Sequence, residues 1–124
     1  MALPCHVRVR ALVDGEPLTG FPAARSLSLT QLVAGTCIVP ANTAGSLTYQ
    51  FPSPPSGLPY QLVVIESDTQ LPVGAGVLVL NTYSITLQPA GVLLVAGASG
   101  ITSVFLLASN ATAQPATIRY VLGY

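Results

Sequence analysis

Few residues of this chain carry side chains suited to chemistry. His6 is the only histidine, and it sits in CHVRVRALV, residues 5–13. A Ser–His–acid arrangement would need an acid to orient that ring, and Asp14, Glu16, Glu66 and Asp68 are the whole supply. No Gly-x-Ser-x-Gly elbow occurs. Glu66 and Asp68 are two residues apart, so an extended strand would put both carboxylates on one face, and paired carboxylates can do acid/base work. The plainer reading of IESDTQLP is a strand end running into a solvated turn. Metal ligation needs three or four converging donors. Cys5 and His6 are neighbours, so along a strand they point to opposite faces and cannot grip one ion together. Gly74-Ala75-Gly76 lacks the strand–helix context and the lysine of a phosphate loop. The expectation is a chain that is not an enzyme and holds no cofactor or metal.

The remaining candidates are for docking. His6, Arg8 and Arg10 alternate with Val7, Val9, Ala11 and Val13, which makes one positive stripe on one strand face. Arginine forks bind carboxylates and are enriched at interfaces. The loop FPSPPSGLPY, residues 51–60, is the second candidate, through Phe51, Pro54, Pro55 and Tyr60. Stiff prolines and aromatic rings lose little entropy on binding. Each group also has an ordinary reading, a solvated strand face and a common surface loop.

Composition restricts the partners. The 124 residues include only 6% charged side chains, against roughly 25% in an average soluble protein. There is no lysine, net charge is zero, and residues 69–118 carry no charge. Nothing here favours nucleic acid or an anionic membrane. At 51% hydrophobic the chain is unlike a disordered one. A free monomer normally keeps clear of its neighbours by net charge. A neutral surface rich in Ser and Thr suits a protein that lives packed in an assembly. Cys5 and Cys37 lack metal-site spacing and read as thiols acting as small hydrophobes, with a disulfide as the alternative in an oxidising compartment. MALPCHVRVRALVDGE has no charged region ahead of an apolar one, so no signal peptide is expected. Asn110-Ala-Thr112 fits a glycosylation sequon but reads as a polar turn.

Strand periodicity positions these groups. Two-residue alternation recurs in SLSLTQL, SLTYQF (Leu47, Tyr49 and Phe51 inward), YSITLQ (Tyr83, Ile85 and Leu87 opposite Ser84, Thr86 and Gln88) and TIRYVL. YQLVVIE and GVLVLN are continuous apolar runs, as expected of strands covered on both faces. SLTQLVAG is the nearest approach to a helical turn. The longest uncharged apolar stretch, GVLLVAGASGITSVFLLA at 91–108, is long enough to cross a bilayer. Its central Gly-Ala-Ser-Gly, its lack of flanking bases and its Val, Ile and Phe content point instead to a buried hairpin turning at Gly97–Gly100. Strands are expected at 5–13, 26–32, 36–39, 45–51, 60–66, 76–81, 83–88, 91–96, 101–108 and 116–122, with one or two merged. About eight antiparallel strands at this spacing give a single all-β domain over 1–124, a jelly-roll-like β-sandwich. An immunoglobulin pattern is missing because there is no Trp.

The C-terminal third adds a resemblance. Thr86-Leu87-Gln88-Pro89-Ala90-Gly91, Ile101-Thr102 and the run Ser109-Asn110 through Tyr120 are similar to a pattern in small β-rich virion proteins of tailed bacteriophages. There a Thr-Leu-x-Pro-Gly-Gly turn leads into a hydrophobic strand, then an Ile-Thr strand, then Ser-Asn-x-Thr-Ala-x-x-Ala-x-Ile-Arg-Tyr. Ala90 departs from the commoner glycine. The resemblance implies a non-enzymatic head-decoration, fibre-base or tail accessory protein in the virion. Its partners would be other copies of itself, with a trimer as the expected oligomer, and a major capsid or tail protein. The alternative is a lectin-like sandwich binding carbohydrate through exposed tyrosines. A cupin-like enzyme would need more histidines than one.

Overall fold

The computed structural model describes residues 3–9, 12–13, 16–17, 23–55 and 58–124. The strands are β1 (Leu3–Val9), β2 (Leu12–Val13), β3 (Glu16–Pro17), β4 (Ala23–Leu29), β5 (Leu32–Val39), β6 (Thr43–Gln50), β7 (Tyr60–Ser67), β8 (Gly76–Leu80), β9 (Tyr83–Leu87), β10 (Val92–Ile101), β11 (Val104–Asn110) and β12 (Ala116–Gly123). All strand pairs are antiparallel. Arg10, Ala11, Asp14 and Gly15 lie outside the described residues. The short strands β2 and β3 pair with each other.

The last eight strands form two four-stranded sheets, ordered β10-β7-β12-β5 and β6-β11-β8-β9. Successive strands change sheet at every connection except the β8–β9 hairpin. This is the strand order of a jelly roll, two interleaved Greek keys. Alternation explains the layering. Directly paired residues share a face, so Gly35, Tyr120, Ile65 and Leu93 form one inward row, and Val33, Leu122, Val63 and Val95 the next. From the other sheet Leu106 and Leu78 point inward and are fully buried. The runs that read as doubly covered strands, β7 and β8, are the most thoroughly buried. Each fully buried Leu or Ile contributes about 1.5–3 kcal/mol relative to exposure.

Several expectations are corrected. The 91–108 stretch holds two strands, β10 and most of β11, but they do not form a hairpin. β10 pairs with β7, whereas β11 pairs with β6 and β8 in the opposite sheet. Gly97 takes φ +79° in a register break within β10, and the chain turns later, at Thr102–Ser103. Glycine permits a bulge as readily as a turn, and local chemistry cannot tell the two apart. Val92 pairs with Glu66 on the outer face of its sheet, at an edge strand, and is 62% exposed. No helical turn forms in SLTQLVAG. Thr30 and Gln31 instead interrupt strand structure, and both amides donate to the Tyr124 carbonyl at 2.6 and 2.8 Å. Tyr83 and Ile85 share a face with Leu80 and Leu78, yet both are exposed, because β9 is an edge strand whose inward side chains are left uncovered.

Polar residues stitch one end of the sandwich. Asn110 is fully buried, and Nδ2 donates to the Gln114 carbonyl at 2.7 Å. Its Oδ1 accepts from the Thr112 amide at 3.0 Å and from the Thr112 hydroxyl at 2.6 Å. The sequon is thus a polar turn whose asparagine faces inward. The buried Ser67 hydroxyl accepts from the Gly91 amide at 3.0 Å, which joins β7 to the turn before β10.

Candidate docking surfaces

β1 and β4 form a separate two-stranded ribbon in the register Leu3↔Leu29 to Val9↔Ala23. One face carries Cys5, Val7, Val9 and Leu27, all half-buried. The other presents His6 and Arg8 to solvent beside Ser26 and Ser28. The His6 ring nitrogen Nδ1 lies 3.0 Å from the Ser26 hydroxyl. The two described members of the stripe therefore project together, and Arg10 lies outside the described residues. Arg25, from the facing strand, donates to the Ala24 carbonyl at 2.8 Å. A two-stranded ribbon is marginal alone. This one is held at its end by Leu29, which is 1% exposed. A Cβ on Gly123 would meet Leu29 Cδ1 at 2.6 Å, so glycine there is what lets the leucine seat on the sheet.

The 51–60 loop is arranged differently from expectation. Phe51 is 3% exposed and Tyr60 is fully buried, so neither ring is available to a partner. Phe51 meets Tyr120 edge to face at a centroid distance of 5.0 Å. The Tyr60 hydroxyl donates to the Pro52 carbonyl, and burial pushes that hydroxyl's pKa up. Both aromatics anchor the loop from beneath, because burying a ring outweighs displaying it. Pro54 is half-buried, while Pro55 and Leu58 are exposed. The Leu58 amide closes a turn onto the Pro55 carbonyl at 3.0 Å. Only the prolines of this predicted group remain at the surface.

Glu66 and Asp68 are both engaged structurally. Glu66 pairs with Arg119 across β7 and β12. Asp68 accepts the amides of Gln70 and Thr117, each at 3.0 Å. The thiols Cys5 and Cys37 are unpaired and half-buried, and burial raises Cys37. Among the described residues no three of His, Cys, Asp and Glu lie together in a way that could hold a metal ion.

Sequence reading missed one surface, the outer face of the β10-β7-β12-β5 sheet. Pairing register sets Val92, Glu66, Arg119 and Thr36 in one row across it, and Leu94, Val64, Val121 and Ala34 in the next. A shallow groove of about 270 Å³ runs beside the ion pair, lined by Val64, Glu66, Arg119, Tyr120 and Val121. Outward positions of a sandwich are ordinarily polar. The signal was present as uninterrupted apolar runs in 60–66 and 91–96, but their outer and inner halves cannot be separated without the partner strands.

Comparison with known protein families, with curated proteins and with solved structures finds no match to this chain.

Proposed function

We propose that this chain is a non-enzymatic structural protein of a bacteriophage virion, a capsid decoration or a tail or fibre accessory, which acts by self-assembly and by docking on the particle surface. One observation carries the reading. A jelly roll with almost no charge leaves Leu32, Ile38 and Val92 exposed on the outer side of one sheet. Such side chains gain by meeting a neighbour, and repetition in a symmetric particle multiplies weak contacts. The C-terminal strings similar to phage virion proteins point the same way. The exposed face of the ribbon, with His6 and Arg8, would meet an acidic patch on a capsid or tail protein.

Immunogold labelling of purified phage particles with antibody to this chain tests the reading. Regular labelling of head or tail is the expected result. Particles that lack the chain, by labelling and by mass spectrometry, overturn it. A carbohydrate-binding module is the second reading, favoured by Tyr83, whose 75% exposure leaves a ring free to stack on a sugar. Retention of a specific glycan on an array, lost in Tyr83→Ala, would favour that alternative.

A further inference from the structure

We infer that the outer face of the β10-β7-β12-β5 sheet is the contact through which two copies of this chain meet about a twofold axis. The inference rests on the self-assembly half of the reading above and assigns it a surface.

The outward side chains are known from the register. Val64 and Val121 stand half-buried on the two inner strands, with Leu94 half-buried and Ala34 exposed on the flanking edge strands. The rim is apolar too, with Leu32 48%, Ile38 57% and Val92 62% exposed. One corner is already occupied, because Leu29 of the ribbon seats against Gly123 and is buried there. β4 also lies against β10, so the open part of the face is the row of Val92, Glu66, Arg119 and Thr36 with Ile38 beside it.

Charge selects the occupant. Glu66 and Arg119 stand side by side on the two inner strands, near the end where β7 finishes and β10 begins, and their side chains are 40% and 67% exposed. An acidic partner would oppose Glu66, and a basic partner would oppose Arg119. A partner with no charge would strip water from both and return nothing. A second copy turned by a twofold axis presents its arginine to this glutamate and its glutamate to this arginine. A twofold contact is self-complementary in this way by construction. The opposite sheet offers no such pair. Its outward rows put Thr48, Gln50, Ser84 and Thr86 on the edge strands and no ionised group among them.

Area sets the strength. Strands about 4.8 Å apart and about 3.3 Å per residue make a face of roughly 19 by 23 Å, on the order of 400 Å². A standard interface buries about 800 Å² per partner. The dimer is therefore weak and concentration-dependent by itself, and an assembly reinforces it.

Charge reversal tests this. Sedimentation equilibrium is run over a concentration series on the native chain, on Glu66→Arg, on Arg119→Glu, on their equimolar mixture and on the double variant E66R/R119E. The native chain dimerises. Each single variant associates at least tenfold more weakly, the mixture forms heterodimers, and the double variant recovers native association. Circular dichroism verifies the fold of each. If a charge variant does not fold, Ala34→Arg replaces it, since that side chain is exposed on an edge strand; it lowers association tenfold with an unchanged melt. Single variants and Ala34→Arg that associate like the native chain, or a mixture that stays monomeric, overturn this face and leave self-assembly standing. A native chain monomeric up to about 1 mM overturns both.

Discussion

The Asp68 carboxylate, just past the end of β7, accepts the Thr117 amide on β12 at 3.0 Å, while the Asp68 amide donates to the Thr117 carbonyl at 3.1 Å. The Asp68 carbonyl in turn accepts the Ala90 amide at 2.9 Å. One residue thus ties three connections at the same end of the sandwich. A carboxylate so engaged acts as a clasp, and its spacing from Glu66 has a structural cause. Asp68→Ala removes two hydrogen bonds to an ionised acceptor and is expected to cost about 2–4 kcal/mol, read as a lower denaturation midpoint. Asp68→Asn keeps one acceptor oxygen and should fall between the two.

The Tyr49 hydroxyl is shielded from solvent with no hydrogen-bond partner among the described residues. Leaving a buried polar group unpaired costs about 1–3 kcal/mol. Tyr49→Phe keeps the ring against the core and deletes the orphan. It should raise stability by about 1 kcal/mol in urea unfolding. A loss of stability would mean that the hydroxyl has a partner.

Alkali should weaken the fold through Cys37. Burial pushes its thiol above the ordinary value of 9.0. The unfolded chain ionises there near pH 9 while the folded chain keeps its proton, so the folded form binds more protons. The associated stability is fully present below about pH 9 and falls as pH rises. Burial also raises Tyr49, with Cys37 adding to the effect, and burial raises Tyr60, which extends the loss upward from pH 10. Calorimetric melts should be level from pH 7 to about 8.5 and decline above it. Cys37→Ala should melt lower throughout but start its alkaline decline later. An identical onset in the variant would refute this assignment.

Ala90 occupies a backbone position that favours glycine. Its φ is +54°, in the turn closed by the Gly91 amide onto the Gln88 carbonyl at 2.9 Å. Pro89 then Ala90 fill the two central positions of a type II turn, whose second requires positive φ. An alanine there is strained by roughly 1–2 kcal/mol, partly offset because glycine loosens the unfolded chain. Ala90→Gly should therefore stabilise by a few tenths to about 1 kcal/mol, measured as a higher melting temperature at unchanged circular dichroism.

Local pattern along the chain was enough to set the class of the fold. Alternation in SLSLT and TIRYVL and the solid apolar runs of β7 and β8 are local properties of an extended chain, and they appear as Leu29, Ile118, Leu122, Ile65 and Leu78 in the interior. It also announced, through near-absence of charge, that few side chains could do chemistry. Pairing was decided only in three dimensions. The Gly97–Gly100 segment reads equally as a turn or a bulge, and only partner strands in both sheets made it a bulge within a strand that then crosses the sandwich. The same holds for Phe51, Tyr60 and Tyr83. Sequence gives an aromatic ring its hydrophobicity, but whether another element lies over it is set by sheet order, so Phe51 and Tyr60, offered by their loop for docking, are buried and Tyr83 is left in water. The Glu66–Arg119 pair, whose partners stand more than fifty positions apart, exists only because β7 and β12 became neighbours.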